Sequence, residues 1–178
     1  MLPPVKRTVV LVVAVAGVVV ASALAKTPLP SKAQGTGKEP TAGGGVVAGV
    51  PFPARSAIAQ YDTSSGDLYV YLFKKKAGCH LVSFSDAPYV WVWIHTEGTP
   101  LDVGRPMRTS GTSRFVQVNF VLHDHYIAVQ PGVRLTFTHI GPARGSLWHG
   151  RLIVARTTDK GKVYSYNGTF AARWCGPS

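Results

Sequence analysis

Tyr89-Val90-Trp91-Val92-Trp93-Ile94-His95 is the stretch on which the fold turns. Aliphatic and aromatic residues alternate in it with a period of two, and successive side chains of an extended strand point to opposite sides of a sheet. Val90, Val92 and Ile94 therefore share one side, while Tyr89, Trp91, Trp93 and His95 share the other. The pattern recurs at 68–73, where Leu68, Val70 and Leu72 interleave with Tyr69, Tyr71 and Phe73. β-branched and aromatic residues suit a pleated, half-buried surface, so both stretches predict strands.

Outward from this pair, apolar runs at 56–61, 80–84, 115–122, 133–140, 147–155, 162–166 and 169–174 show strand-like patterning. Turn formers separate them: Ser64-Ser65-Gly66-Asp67, Asp86-Ala87-Pro88, Gln130-Pro131-Gly132, Asp159-Lys160-Gly161 and Asn167-Gly168. Asn167-Gly168-Thr169 also fits a glycosylation triplet and is read here as a hairpin turn. Short strands at regular spacing without a helical period predict an all-β domain over 55–178. The expected architecture is an antiparallel β-sandwich, jelly-roll or Ig-like, or a small barrel.

The N-terminus has a different character. Lys6 and Arg7 precede the apolar run at 8–25, which ends Ala23-Leu24-Ala25, so 1–25 reads as a signal peptide, with an N-terminal membrane anchor as the alternative. Residues 26–54 alternate Pro and Gly without apolar periodicity and read as a flexible linker. The predicted location is exported: periplasmic, cell surface or extracellular. In an oxidising compartment Cys79 and Cys175, the only two cysteines, are expected to form a disulfide.

The 178 residues hold Lys+Arg 19 against Asp+Glu 8, a net +11. Residues 55–178 keep fourteen basic against seven acidic side chains, a net +7. Lys74-Lys75-Lys76, Arg105, Arg108 and Arg114 form the basic groups, which suit either an anionic polymer or plain solubility and edge protection. The Tyr/Trp strand carries no Lys or Arg, which disfavours nucleic acid.

Tyr69, Tyr71, Tyr89, Trp91 and Trp93 are the candidate ligand contacts, since flat rings in a row suit stacking on sugar faces. The same alternation equally fits rings packed under a facing sheet or under the 97–113 loop. His123-Asp124-His125 offers a second reading, a metal-binding protein or metal-dependent enzyme: in an extended strand both imidazoles point one way, with Asp124 facing away, a spacing suited to zinc or copper if a third ligand joins them. No cofactor is otherwise implied. Hydrolase and nucleotide-binding motifs are missing, and few carboxylates remain outside turns, so binding is favoured over catalysis. The expected partner is a carbohydrate or anionic polymer of the envelope. A secreted protein, with this chain as inhibitor or subunit, is the remaining alternative, and membrane contact is expected only if the leader stays uncleaved.

Overall fold

A computed structural model describes residues 32–37, 40–80, 82–95, 101–108, 115–129 and 132–177. The expected leader and Arg114 lie outside these residues. The described residues are nearly all β. Its strands are β1 (Gln34–Gly35), β2 (Ala42–Val47), β3 (Val50–Pro53), β4 (Ser56–Asp62), β5 (Asp67–Phe73), β6 (Tyr89–His95), β7 (Met107–Arg108), β8 (Phe115–Val121), β9 (Tyr126–Val129), β10 (Val133–Ile140), β11 (Leu147–Asp159) and β12 (Lys162–Pro177). A single 3-10 turn, Phe84–Asp86, is the helical element among the described residues. None of them forms a helix long and apolar enough to cross a membrane.

All twelve strands join one sheet in the order β1-β10-β11-β12-β4-β5-β6-β8-β9, with β2 on β12, β3 on β2 and β7 on β10. The pairing is mixed rather than purely antiparallel. β4 runs parallel to the C-terminal half of β12, with Ala57 beside Ala172 and Ala59 beside Trp174, because β2 occupies the N-terminal half of the same edge. The sheet bends so that its apolar sides meet: β10 contacts β8, and Phe120 on β8 packs 5.5 Å from Tyr164 on β12.

The alternation in the sequence decides which side faces in. Leu68, Val70 and Leu72 on β5 and Val90, Val92 and Ile94 on β6 are completely buried. Burying each such side chain is worth about 1.5–3 kcal/mol. Phe137, Phe170 and the stacked Trp148–Trp174 pair, 4.5 Å apart, fill the other end of the core.

Three sequence expectations are corrected. The predicted linker contains β1, β2 and β3, and Phe52 on β3 is fully buried in the main core. The Gly43-Gly44-Gly45 run hid this strand because it has no side chains to alternate. Its glycines are needed for close backbone approach, since a Cβ on Gly44 would lie 2.6 Å from the carbonyl oxygen of Phe52. Pro51 and Pro53 are tolerated because β3 pairs on one side only. Asn167-Gly168 is not a turn: it lies inside β12, paired with Ile153 and Leu152 on one side and Gly44 and Gly43 on the other. A Cβ on Gly168 would stand 2.5 Å from the Ala42 carbonyl oxygen. Finally, among the described residues of 80–84 there is no strand; this segment leads into the 3-10 turn. The turn at Asp159-Lys160-Gly161 is as expected, with positive φ at Lys160 and Gly161 closing a two-residue hairpin.

Candidate ligand-binding face

On the side of β5 and β6 away from the main core, the aromatic residues fall in register. Tyr69 stands opposite Trp93, Tyr71 opposite Trp91 and Phe73 opposite Tyr89. Trp91 stacks against Trp93 at 6.5 Å and against Tyr71 at 6.3 Å, with interplanar angles of 14° and 11°. Phe115 on β8 meets Trp93 edge-on at 4.8 Å, and Tyr126 on β9 meets Trp91 edge-on at 6.4 Å. Tyr69, Tyr71, Trp91 and Trp93 are half-buried, and Tyr126 is 51% exposed. Ring pairs of this kind add about 0.5–1.5 kcal/mol each beyond their burial, so the rings stabilise the sheet while leaving part of their surface open.

Amides frame the rings. Gln60 lies across from Tyr69, Gln117 from Trp93 and Asn119 from Trp91. Gln117 Nε2 donates to Asn119 Oδ1 at 2.8 Å, which fixes the Asn119 amide with its Nδ2 turned away. That Nδ2 and the indole nitrogens of Trp91 and Trp93 are buried donors without a partner among the described residues. Burial raises the phenol pKa values of Tyr69 and Tyr71, so both hydroxyls stay neutral donors through the ordinary pH range. At the far end His95 Nδ1 donates to the buried Asp67 carboxylate at 2.6 Å.

The other end is closed by the segment running from Lys74 to Pro88. Cys79 is bonded to Cys175 on β12, as expected from the sequence, with Cα atoms 5.4 Å apart. Gln60 Nε2 donates to the His80 carbonyl at 2.8 Å, and Ile58, Phe73, Ala87, Tyr89 and Val121 form a small second core beneath the segment. Tyr89 is thus packing rather than surface: it is only 5% exposed because Ala87 and Phe73 cover it.

Beyond this wall the surface is cationic. An open cleft of about 850 Å³ is lined by Arg55, Lys74, Lys75, Lys76, His149 and Arg173, with Ala171 among its smaller residues and no carboxylate among them. Of the basic groups expected from sequence, the three lysines therefore converge with Arg55 and Arg173, which the sequence reading left out because they lie far apart in the chain. Arg105 and Arg108 do not join them: Arg105 is exposed, 4.0 Å from Asp102, and Arg108 pairs with Arg134 across β7 and β10.

The expected His123/His125 geometry is corrected. These residues form a tight turn rather than an extended strand, since the Leu122 N–H donates to the His125 carbonyl at 2.8 Å. Asp124 does not face away: its Oδ1 accepts from His125 Nδ1 at 2.6 Å, which lowers the carboxyl pKa. His123 instead lines a smaller cavity of about 570 Å³ with His80 and Asp86. Among the described residues no three His, Cys, Asp or Glu side chains come together as metal ligands.

Tyr126, Phe115, Gln117 and Asn119 complete the face but were not singled out from sequence. The signal was present in Phe115-Val116-Gln117-Val118-Asn119, whose period of two puts ring and amides on one side. Comparison with protein-family models, curated proteins and solved structures finds no match for this chain.

Proposed function

We propose that this chain is an exported binding module that holds a polysaccharide of the envelope or extracellular space against its aromatic face. The observation that carries the reading is the in-register set of half-exposed Tyr69, Tyr71, Trp91 and Trp93, framed by side-chain amides. Such a surface offers flat apolar patches for the C–H faces of sugar rings, and of its amides Gln117, partly exposed, is the one accessible to a hydroxyl, Gln60 and Asn119 being buried. Its openness suits a chain rather than an enclosed small molecule. Binding rather than turnover is the reading because the sequence holds neither the hydrolase nor the nucleotide-binding motifs that would mark a catalytic site. Export is supported by the leader-like composition of 1–25 and by the disulfide. The finer architecture we propose is a sandwich-like closure, supported by the contact of β8 with β10 across the bent sheet.

The test is retention of the oxidised protein on immobilised polysaccharides at about 500 mM salt, where exposed charges are strongly screened. Tyr126→Ala and Trp93→Ala should each weaken retention by about tenfold or more, as expected for anchor residues. Folded variants that bind like the parent protein would overturn the proposal.

A further inference from the structure

The aromatic face and the cationic cleft share one side of the sheet, divided by the segment that the disulfide pins down. Along β4 the side chains of Ser56, Ile58 and Gln60 point to this side, as do Ala171 and Arg173 on β12. The floor of the cleft is shallow because Ala171 is small. Ser56 makes its wall rigid: its Oγ donates to the Lys75 carbonyl at 2.6 Å and accepts from the Ala77 N–H at 3.1 Å. Lys74 is held with its ammonium 5.7 Å from the ring of buried Phe52. Arg55, Lys75, Lys76 and Arg173 are exposed, and none has a carboxylate partner among the described residues. In the adjoining cavity the one carboxylate, Asp86, accepts from the Ser83 N–H at 2.9 Å and lies 3.2 Å from His80 Nε2. Lys74, Lys75 and Lys76 line this cavity as well, so Asp86 offsets part of their charge there, but it does not line the cleft shared with Arg55 and Arg173. A rigid concavity lined by several cations, with no carboxylate among its described lining residues, concentrates anions, and guanidinium groups are well suited to oxyanions.

Resting on the carbohydrate reading above, we infer that the ligand is an acidic polysaccharide. Its sugar rings lie on the Tyr/Trp face, and its carboxylate, sulfate or phosphate groups enter the cleft formed by Arg55, Lys75, Lys76 and Arg173. Neither half of the site supplies both kinds of contact.

The experiment compares binding of the oxidised full chain to a neutral glucan, to a uronate polysaccharide, to a sulfated polysaccharide and to polyglutamate at about 100 mM salt. Two variants are used: a cleft variant (Arg55→Gln, Lys75→Gln, Lys76→Gln, Arg173→Gln) and the ring variant Trp93→Ala. The inference expects the cleft variant to lose about tenfold or more on one or both acidic polysaccharides while its binding to the neutral glucan is unchanged. The two acidic matrices distinguish carboxylate from sulfate recognition. Equal binding of the parent protein to neutral and acidic polysaccharides would overturn the inference and leave the aromatic reading standing. Polyglutamate binding as strong as that of the acidic polysaccharides, lost in the cleft variant but unaffected by Trp93→Ala, would also overturn it, by showing a polyanion site indifferent to sugar. Because the four cleft substitutions replace exposed side chains, the thermal transition should be retained, and its loss would show that the cations act structurally and overturn the assignment.

Discussion

Replacing Phe52 by Ala tests whether the glycine- and proline-rich segment is part of the folded domain. Phe52 is completely buried, sits opposite Gly45 on the edge strand β3, and carries Lys74 over its ring. Large-to-small changes of this kind cost about 3–5 kcal/mol, the sum of lost transfer free energy and the cavity left behind. In a domain of this size that corresponds to a fall in Tm of about 10 °C or more. Lost Lys74 contact adds little, because a partly exposed cation 5.7 Å from the ring centroid contributes only about 1 kcal/mol. The assay is urea unfolding of parent and variant followed by tryptophan emission, with equal m-values required for the comparison. A flexible tether would give no change. A difference below about 0.5 kcal/mol would therefore refute the placement of β2 and β3 in the sheet.

Three further expectations follow from the same structure. Replacing Cys79 and Cys175 by Ser should lower stability by about 4–5 kcal/mol on the chain-entropy account for a separation of 96 residues, measured by urea unfolding; no change would show that the link does not constrain the unfolded chain. Gly168→Ala should destabilise by about 1–3 kcal/mol, because its Cβ would meet the Ala42 carbonyl oxygen and the Gly43 Cα; a neutral result would contradict the β2–β12 register. Stability should also fall at both ends of the pH range. Asp62 and Asp86 have lowered pKa values, chiefly through hydrogen bonds from Ser64 and Ser83, so their contribution is present above the ordinary carboxylate range and is lost as pH falls through their folded values. Burial raises Tyr69, Tyr71 and Tyr166, the last to about 12, so their contribution is full below pH about 10 and is lost as pH rises through the folded values. Absorbance titration of the phenols alongside circular dichroism checks this, and free ionisation of all tyrosines near pH 10 in the folded protein would contradict it.

Much of the fold was legible because alternation is a local signal. The residues of β5 and β6 carry their two faces in plain sequence order, and the Lys160-Gly161 hairpin is written in its turn chemistry. β2 was not legible, since three consecutive glycines give no periodicity and their role depends on carbonyls of β3 and β12 more than a hundred residues away in the latter case. Gly168 misled for the same reason: an Asn-Gly pair normally marks a turn, yet here close approach of Gly43 requires the glycine. Within the site, the ring register followed from sequence once β5 and β6 pair, but the burial of Tyr89 depends on the segment held by Cys79–Cys175. The cationic cleft was half visible as Lys74-Lys75-Lys76. Arg55 joins it through the antiparallel pairing of β4 with β5, its N–H bonded to the Phe73 carbonyl, and Arg173 through the parallel pairing of β4 and β12, which no local pattern announces.

The central claim is that Trp91 and Trp93 form a sugar-binding surface, and intrinsic fluorescence addresses it directly. Trp148 and Trp174 are buried and stacked on each other in the core, so a ligand on the open face perturbs the other two indoles. Titration of the oxidised protein with soluble fragments of acidic and neutral polysaccharides should give a saturable change in emission together with protection from an aqueous quencher, and both effects should disappear in the Trp91→Phe, Trp93→Phe variant. Saturable binding seen by calorimetry with no change in emission or quenching would place the ligand elsewhere and contradict the account.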